Sequence, residues 1–581
     1  MMDFSHKLSR SCQISLLLAI STVFWGSVIA APRPNIILVM ADDMGWGDVS
    51  YNSNTVSYPN NTTLYPVRAG QPHEDRGWIH TPVMDSMAAN GVRFDRFYST
   101  SAVCSPTRFS CLTGRHPVRG GIGGANTGRL DFDETALSEV LSAEGYATAH
   151  MGKWHLGILT TERLDGNKGG LPDHFARYSG PWHHSYDTVF ATESKVPTYN
   201  PYGNFDYDGE MNFTNANLYN DHGTRYWKLP YSGDEISGEG TPVVPDALHT
   251  IATNYDTQDY NGDDSQILVN RAIPFMQDAV ADNKPFFLVL WFHTPHKPVK
   301  DKDDPTASAN SQAGLKNSIE GMDAAIGRLR AELDTLGVRG NTMLWLTSDN
   351  GPENGIDSPT DESNNEADKI YQRPIRSGRY LDRKGSLYEG GVIVPGILEW
   401  PNVITTGSST DMPAVTTDYY PTILDYLQLT VPNQKPLDGI SLRPAIEGTS
   451  HTRSKPVIFR LGGDTALRTN QYKLVNQNIG NDVSGELRLY DMVNIAAGEE
   501  PEQTPLATAS DYTTKSQAIQ DLYTSLKAEH DTLLASVNND TNYIHSSQPT
   551  IKLSTDSNTV IAPFTVTATF NESVSQLNAN E

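Results

Sequence analysis

Three groups of side chains in this chain carry reactive chemistry. The first is Cys104-Ser105-Pro106-Thr107-Arg108-Phe109-Ser110-Cys111-Leu112-Thr113-Gly114-Arg115. Arg108 lies one helical turn from Cys104, so a helix begun at Pro106 sets the guanidinium beside the sulfur and points free N–H groups at an anion. Gly114 supplies the stop. The plainer alternative is a buried structural cysteine at an ordinary helix start. The second group is Asp42-Asp43 with Asp349-Asn350. These residues offer four side-chain oxygens and no soft ligand, a set suited to a hard cation, with Ca2+ ahead of Mg2+ because it accepts a larger and less regular shell. A lone Asp-Asp is more often a solvated turn. The third group is His293 and His296, in His293-Thr294-Pro295-His296-Lys297-Pro298, which can pass a proton near neutral pH.

The Cys104–Arg115 stretch resembles the signature of the type I sulfatases, members of the alkaline-phosphatase-like superfamily. In that family the cysteine is oxidised to formylglycine, and the hydrated aldehyde offers one hydroxyl to attack sulfur and a second to expel the product. The resemblance implies a site around a formylglycine derived from Cys104, with Ca2+ held by Asp42, Asp43, Asp349 and Asn350 and by an oxygen of the modified Cys104. Met151-Gly152-Lys153-Trp154-His155-Leu156-Gly157 looks like a family motif that brings Lys153 to the sulfate and His155 to a hydroxyl of the hydrate. Arg383-Lys384-Gly385-Ser386-Leu387-Tyr388-Glu389-Gly390-Gly391 resembles the segment bearing a second sulfate-contacting lysine, Lys384.

By the same resemblance, Arg108 stabilises the nucleophile, Asp349 is a proton acceptor, and His296 contacts the sulfate and protonates the leaving oxygen, with His293 as the runner-up. His184, in His183-His184-Ser185-Tyr186-Asp187, falls where relatives often place another substrate-side histidine, against an equally open structural role. One departure stands out. Where relatives commonly read Gly-Gly-Ile-Arg-Val-Pro, this chain has Gly390-Gly391-Val392-Ile393-Val394-Pro395, without the arginine.

These residues need a scaffold, and apolar runs supply one. Asn35–Met40 runs into Asp42, Phe286–Phe292 into His293, and Met343–Thr347 into Asp349, as strands of a parallel sheet do when both faces are buried and the site lies at their carboxyl ends. Ile319, Met322, Ile326, Leu329, Leu333 and Leu336 recur at helical spacing before Gly337, and Leu137, Val140 and Leu141 mark a helix ending at Gly145 before a strand over 146–151. The alternation predicts an α/β sandwich around a large, mostly parallel sheet with helices on both faces. After Leu437 short strands at 457–460, 466–468, 472–475 and 487–491, then a helix through Ile519, Leu522, Leu526 and Leu533, predict a smaller C-terminal subdomain of antiparallel strands and a helix.

Residues 1–31 carry Lys7 and Arg10, an apolar run and Ala30-Ala31, the layout of a cleaved signal peptide. The expected organisation is therefore a signal at 1–31, a catalytic domain at 32–436, the C-terminal subdomain at 437–545, and at 546–581 the truncated start of an immunoglobulin-like module. Export to the periplasm, the cell surface or the medium follows, with no stable membrane insertion. A net charge of −25 disfavours nucleic acid and requires positive charge to be concentrated at the site of any anionic substrate. Of three cysteines, Cys12 lies in the signal, and Cys111 is expected to pack unpaired as a small hydrophobe if Cys104 is modified.

The reading is an exported sulfatase of bacterial type that hydrolyses sulfate esters of a sulfated carbohydrate, a polysaccharide or its oligosaccharides, algal ones included, and that is matured by a formylglycine-generating enzyme. The polar, aromatic stretches 49–79 and 197–262 are candidate walls of its substrate cleft. The competing readings are a phosphodiesterase or phosphonate monoester hydrolase of the same superfamily, and an inactive carbohydrate-binding relative.

Overall fold

The apolar run Asn35–Ala41 forms a strand, β1, with every residue buried. The computed structural model describes residues 33–53, 79–159, 177–196, 198, 227–229, 241–242, 263–304, 310–353, 375–477, 485–496, 499–539, 551–555 and 566–570. Beside β1 lie Ala147–Lys153 (β2), Thr188–Thr192 (β3), Phe286–Trp291 (β4) and Thr342–Ser348 (β5). These five run parallel in the order β5-β1-β4-β2-β3 at the centre of a ten-stranded sheet. Ile397–Glu399 pairs antiparallel with β5 on one side, and Trp227–Leu229 pairs antiparallel with β3 on the other.

Because successive side chains of a strand point to opposite faces, each central strand feeds two cores. Ile36, Leu38, Met40, Phe287, Val289 and Trp291 pack into one core, with Phe109, Cys111 and Leu112 of the helix Cys104–Thr113 (α1). Ile37, Val39, Leu288 and Leu290 pack into the other, with Leu268, Ala272 and Met276 of Ser265–Ala281 (α2) and Met322, Ile326 and Leu329 of Gln312–Thr335 (α3). Each such side chain, fully buried, contributes roughly 1.5–3 kcal/mol. Helices on both faces of a mostly parallel sheet are the predicted sandwich.

Val457–Leu461 (β6), Asp464–Arg468 (β7), Tyr472–Val475 (β8), Arg488–Asp491 (β9) and Ala507–Thr508 (β10) form a separate antiparallel sheet in that order. One face packs Ile458, Leu467, Leu474 and Leu489 against Tyr523, Leu526 and Val537 of the helix Gln517–Asn538 (α4). The other face presses Val457, Phe459, Ala466, Val475 and Tyr490 onto Tyr98, Leu387, Tyr388 and Val392.

Several details differ from the sequence reading. Helix α1 begins at Cys104 rather than Pro106, because Val103 is already extended and proline is tolerated within the first turn, where its missing N–H has no partner to lose. Strand β2 extends to Lys153, past the expected end at Met151. Helix α2 and the short strand β10 were not anticipated. At the departed arginine position Ile393 is buried and pairs with Tyr98, so an apolar residue fits an apolar site. Ile551–Thr555 and Val566–Phe570 pair antiparallel. The signal-like segment, residues 54–78 and most of 197–262 lie outside the described residues. Among those described, no helix is long and apolar enough to cross a membrane.

Candidate active site

Parallel pairing brings the strand ends to one edge. Ala41 pairs with Ser348, Met40 and Gly152 each with Trp291, and Lys153 with Thr192. Asp42-Asp43, Lys153, His293–His296 and Asp349-Asn350 therefore emerge side by side, although more than 300 residues separate the first from the last. Helix α1 meets the same edge with its first residue. The Cys104 sulfur lies 3.6 Å from Asp42 Oδ1. Arg108, fully buried, donates to Asp349 Oδ2 at 2.7 Å and to the Lys153 carbonyl at 3.2 Å, and stands 3.6 Å from Asp42 Oδ1. Gly114 ends the helix at φ +67°, the left-handed stop its type allows.

The cations are distributed one to each carboxylate. Lys153 Nζ lies 2.7 Å from Asp42 Oδ2, and Lys384 Nζ lies 2.8 Å from Asp43 Oδ2. Lys384 also stands 3.3 Å from His296 Nε2, whose ring lies 3.5 Å from Asp43 and whose Nδ1 is 2.7 Å from the Lys297 carbonyl. That carbonyl can only accept, so Nδ1 carries the proton and Nε2 is the nitrogen aimed into the site.

Electrostatics bear on what the cluster can hold. Ligand atoms of Asp42, Asp43, Cys104 and Asp349 lie within 4.8 Å of one another. Burial, with the adjacent Asp349, pushes Asp42 up to about 8 even though Lys153 and Arg108 oppose this. Burial also works against ionising Asp43 and Asp349, but Lys384 and His296 hold the first well below the usual carboxylate range, and Arg108 and Lys153 lower the second. Asn350 donates from Nδ2 to Asp43 Oδ1 at 2.6 Å, while its Oδ1 is buried without a hydrogen-bond donor among the described residues. An unsatisfied amide oxygen beside crowded carboxylates is a donor set that fits a hard divalent cation. The thiol is a different matter: burial, then Asp349, raises its pKa far above that of a free cysteine, so the unmodified sulfur is a poor nucleophile.

Not every predicted residue joins the cluster. His155, in the left-handed region at φ +57°, shares a 2.6 Å bond with Asn126 Oδ1, and the Asn126 amide lies 3.4 Å from Ser105 Oγ, beside Cys104. His184, for which the sequence left a substrate-side and a structural role equally open, is fully buried, shares a bond with Ser179 Oγ at 2.9 Å, approaches Glu139 at 3.4 Å and stacks against Trp154 and Phe132, the contacts of a packed side chain. The runner-up His293 is also fully buried, with its nitrogens 2.6 Å from Asp264 and 2.6 Å from Thr192 Oγ1. Cys104 and Cys111 are both free.

Sequence reasoning missed Asn126, Lys195 and Glu353. Glu353 lies 3.7 Å from His296 Nδ1, 3.7 Å from Lys297 Nζ and 3.9 Å from Lys384 Nζ. Its only sequence signal is its place three residues after Asn350. Asn126 sits in a glycine-rich loop that gave no hint of the contact.

Comparison with known proteins gives the family and the fold. The sulfatase family pattern matches residues 34–429. Arylsulfatase A of Bos taurus is 30% identical over 461 residues, covering 76% of this chain and 75% of that protein. N-acetylgalactosamine-6-sulfatase of Canis lupus familiaris is 28% identical over 472 residues, covering 79% and 74% respectively. The fold is shared with the solved structure of Ps i-CgsB in complex with k-i-k-neocarrahexaose, at a TM-score of 0.58 and 22% identity over 88% of this chain and 95% of that one. A buried cysteine at a helix start, ringed by carboxylates and cations on a parallel-sheet edge, thus occurs in a chain that belongs to the sulfatase family and is a sulfuric ester hydrolase.

Proposed function

We propose that this sulfatase is an exported bacterial enzyme that removes sulfate esters from a sulfated carbohydrate, a polysaccharide or its oligosaccharides. In this reading Cys104 is converted to formylglycine by a maturation enzyme, and Asp42, Asp43, Asp349 and Asn350 hold Ca2+. The observation that carries it is the convergence of Cys104 with three buried carboxylates and an unsatisfied Asn350 Oδ1, ringed by Arg108, Lys153 and Lys384. A sugar substrate is favoured by two similar proteins, one with N-acetylgalactosamine in its name and one solved with a neocarrahexaose. The signal-like layout of residues 1–31 favours export.

When bound, the cation supplies positive charge to sulfate oxygens, and the oxidised residue supplies an oxygen nucleophile where a raised thiol cannot. The chain's own side chains do the rest. Arg108, locked on Asp349, presents a fixed positive charge beside residue 104, and Asp349 is the nearby carboxylate able to take a proton. Lys153 and Lys384 meet the oxygens of the ester sulfate and stabilise the charge that builds there. His296 presents Nε2 to the leaving oxygen. Burial and the lysines Lys384, Lys153 and Lys195 hold its pKa well down, against Asp43, so Nε2 gains its proton when the substrate's negative charge is bound alongside. His155, which shares its 2.6 Å bond with Asn126, is the residue that by family resemblance meets a hydroxyl of the hydrated aldehyde.

The test is the protein co-expressed with a formylglycine-generating enzyme. Mass spectrometry of the peptide bearing residue 104 should show the mass decrease from a thiol-bearing methylene to an aldehyde, and defined sulfated oligosaccharides should release sulfate. Fully converted protein that releases sulfate from none of them, or that turns over phosphate esters faster, overturns this function.

A further inference from the structure

The lysine that faces the sulfate is positioned from outside the parallel sheet. Lys384 begins a stretch whose backbone is held on two sides. On the inner side the Lys384 amide donates to the Pro352 carbonyl at 3.1 Å, the Gly385 amide to the Ala102 carbonyl at 2.9 Å, and the Gly351 amide to the Gly391 carbonyl at 2.9 Å. The approach is close enough that a Cβ on Gly351 would lie 2.0 Å from the Gly390 carbonyl oxygen. The same loop therefore touches the turn carrying Asp349-Asn350 and the residue two before Cys104.

On the outer side stands Gln477, two residues past the end of β8 in the antiparallel sheet. Its Nε2 donates to the Gly385 carbonyl at 3.0 Å, and its Oε1 accepts from Ser386 Oγ at 3.1 Å and from the Leu387 amide. Its own carbonyl accepts from Arg488 at 3.2 Å and from the Tyr388 hydroxyl at 3.4 Å, which fixes where the side chain starts. Four residues further along the loop, Lys473 of β8 binds Glu389 at 2.9 Å, and the Glu389 amide donates to Glu502 at 2.7 Å. One carboxamide thus uses both its donor and its acceptor on three consecutive residues next to Lys384.

We infer that Gln477 is a positioning residue for hydrolysis: through the carboxamide clamp on residues 385–387, the C-terminal sheet sets where the Lys384 ammonium meets the sulfate. The inference rests on the proposed reading that Lys384 contacts the ester sulfate. A clamp of this kind acts on the geometry of the reacting site, where misplacement by about 1 Å costs on the order of 10²-fold. It also makes the antiparallel sheet a component of the active site and not merely a neighbour of it.

The experiment compares matured wild type, Gln477→Ala and Gln477→Glu. Gln477→Ala is expected to lower kcat on an aryl sulfate by about 10–100-fold and to weaken inhibition by inorganic sulfate, with the melting temperature unchanged. Amide exchange in peptides spanning 384–391 should speed up. Gln477→Glu keeps an acceptor for Ser386 and Leu387 but loses the donor to Gly385, so it should fall between the two. It also decides the matter if the alanine variant does not fold. Wild-type kcat, sulfate inhibition and exchange in the folded variants would overturn the clamp. A matured wild type that hydrolyses no sulfate ester would instead overturn the proposed function, and the exchange data would still judge the clamp.

Discussion

Two buried charge clusters flank the stretch Lys384–Gly391, and they are built to different ends. Around Glu389 the carboxylates share a lysine of the chain, although Glu502 Oε1 meets it as an ion pair without a well-aligned hydrogen bond. Lys473 Nζ stands between Glu389 at 2.9 Å and Glu502 at 2.7 Å, the Tyr98 hydroxyl donates to Glu389 at 2.6 Å, and Arg468 donates to that hydroxyl at 3.0 Å. At the sheet edge the nearest cation differs for each carboxylate, the ligand atoms face one another, and Asn350 Oδ1 has no donor among the described residues. A charge cluster that the chain satisfies by itself joins two parts of the structure. One that leaves acceptors converging can take a ligand from outside, which in the proposed function is a cation together with an anionic ester.

Substitutions separate the two clusters. The largest effect is expected for Cys104→Ala, which should lower turnover by about 10⁴-fold or more while the calorimetric melting temperature stays put. A large loss of stability in that variant would blur the contrast. Next is Lys473→Met, which leaves Glu389 with Tyr98 and Arg468 but takes the ammonium away from Glu502, and should cost about 3–5 kcal/mol in urea unfolding. Adding Glu502→Gln should restore part of this, and additive losses would mean that the pair is not coupled.

The smallest effect is in the pH profile of stability. Burial, then Glu389, pushes Glu502 up to about 7 against the pull of Lys473, and Asp42 is raised to about 8. Both carboxyls hold protons more tightly folded than unfolded. Their contributions are therefore full below the ordinary carboxylate range and are lost as pH rises through about 7 and about 8. For Glu502 the loss is on the order of 3 kcal/mol. In a chelator both parts should show in melting temperatures between pH 4 and 9. Ca2+ should abolish the Asp42 part by favouring its ionised form and leave the Glu502 part, which Glu502→Gln removes. A profile that Ca2+ leaves untouched would break the comparison.

Much of the site was legible because chemistry follows an apolar strand at each place. Asp42, Lys153, His296 and Asp349 all stand at or just beyond strand ends, and the parallel pairing that such runs imply brings them together. Helix α2 was missed although Leu268, Ala272, Phe275, Met276 and Ala279 lie at helical spacing, because Pro274 inside it argues against an uninterrupted helix. His184 and His293 read as chemical by type and proved to be packed side chains, since burial and partners such as Asp264 are set by remote segments. Gln477 carried no signal at all.

By itself the sequence determined the central strands, the existence of the helix carrying Cys104 and Arg108, and the motif residues, since each depends on local periodicity and on neighbours a few positions away. Only the tertiary structure decided which histidines are packed against remote segments, that Asn350 Oδ1 has no donor among the described residues, and that a glutamine about 90 residues beyond Lys384 holds that lysine's loop. Those outcomes depend on hydrogen bonds between groups that no spacing rule connects, and they exist only once the two sheets are packed together.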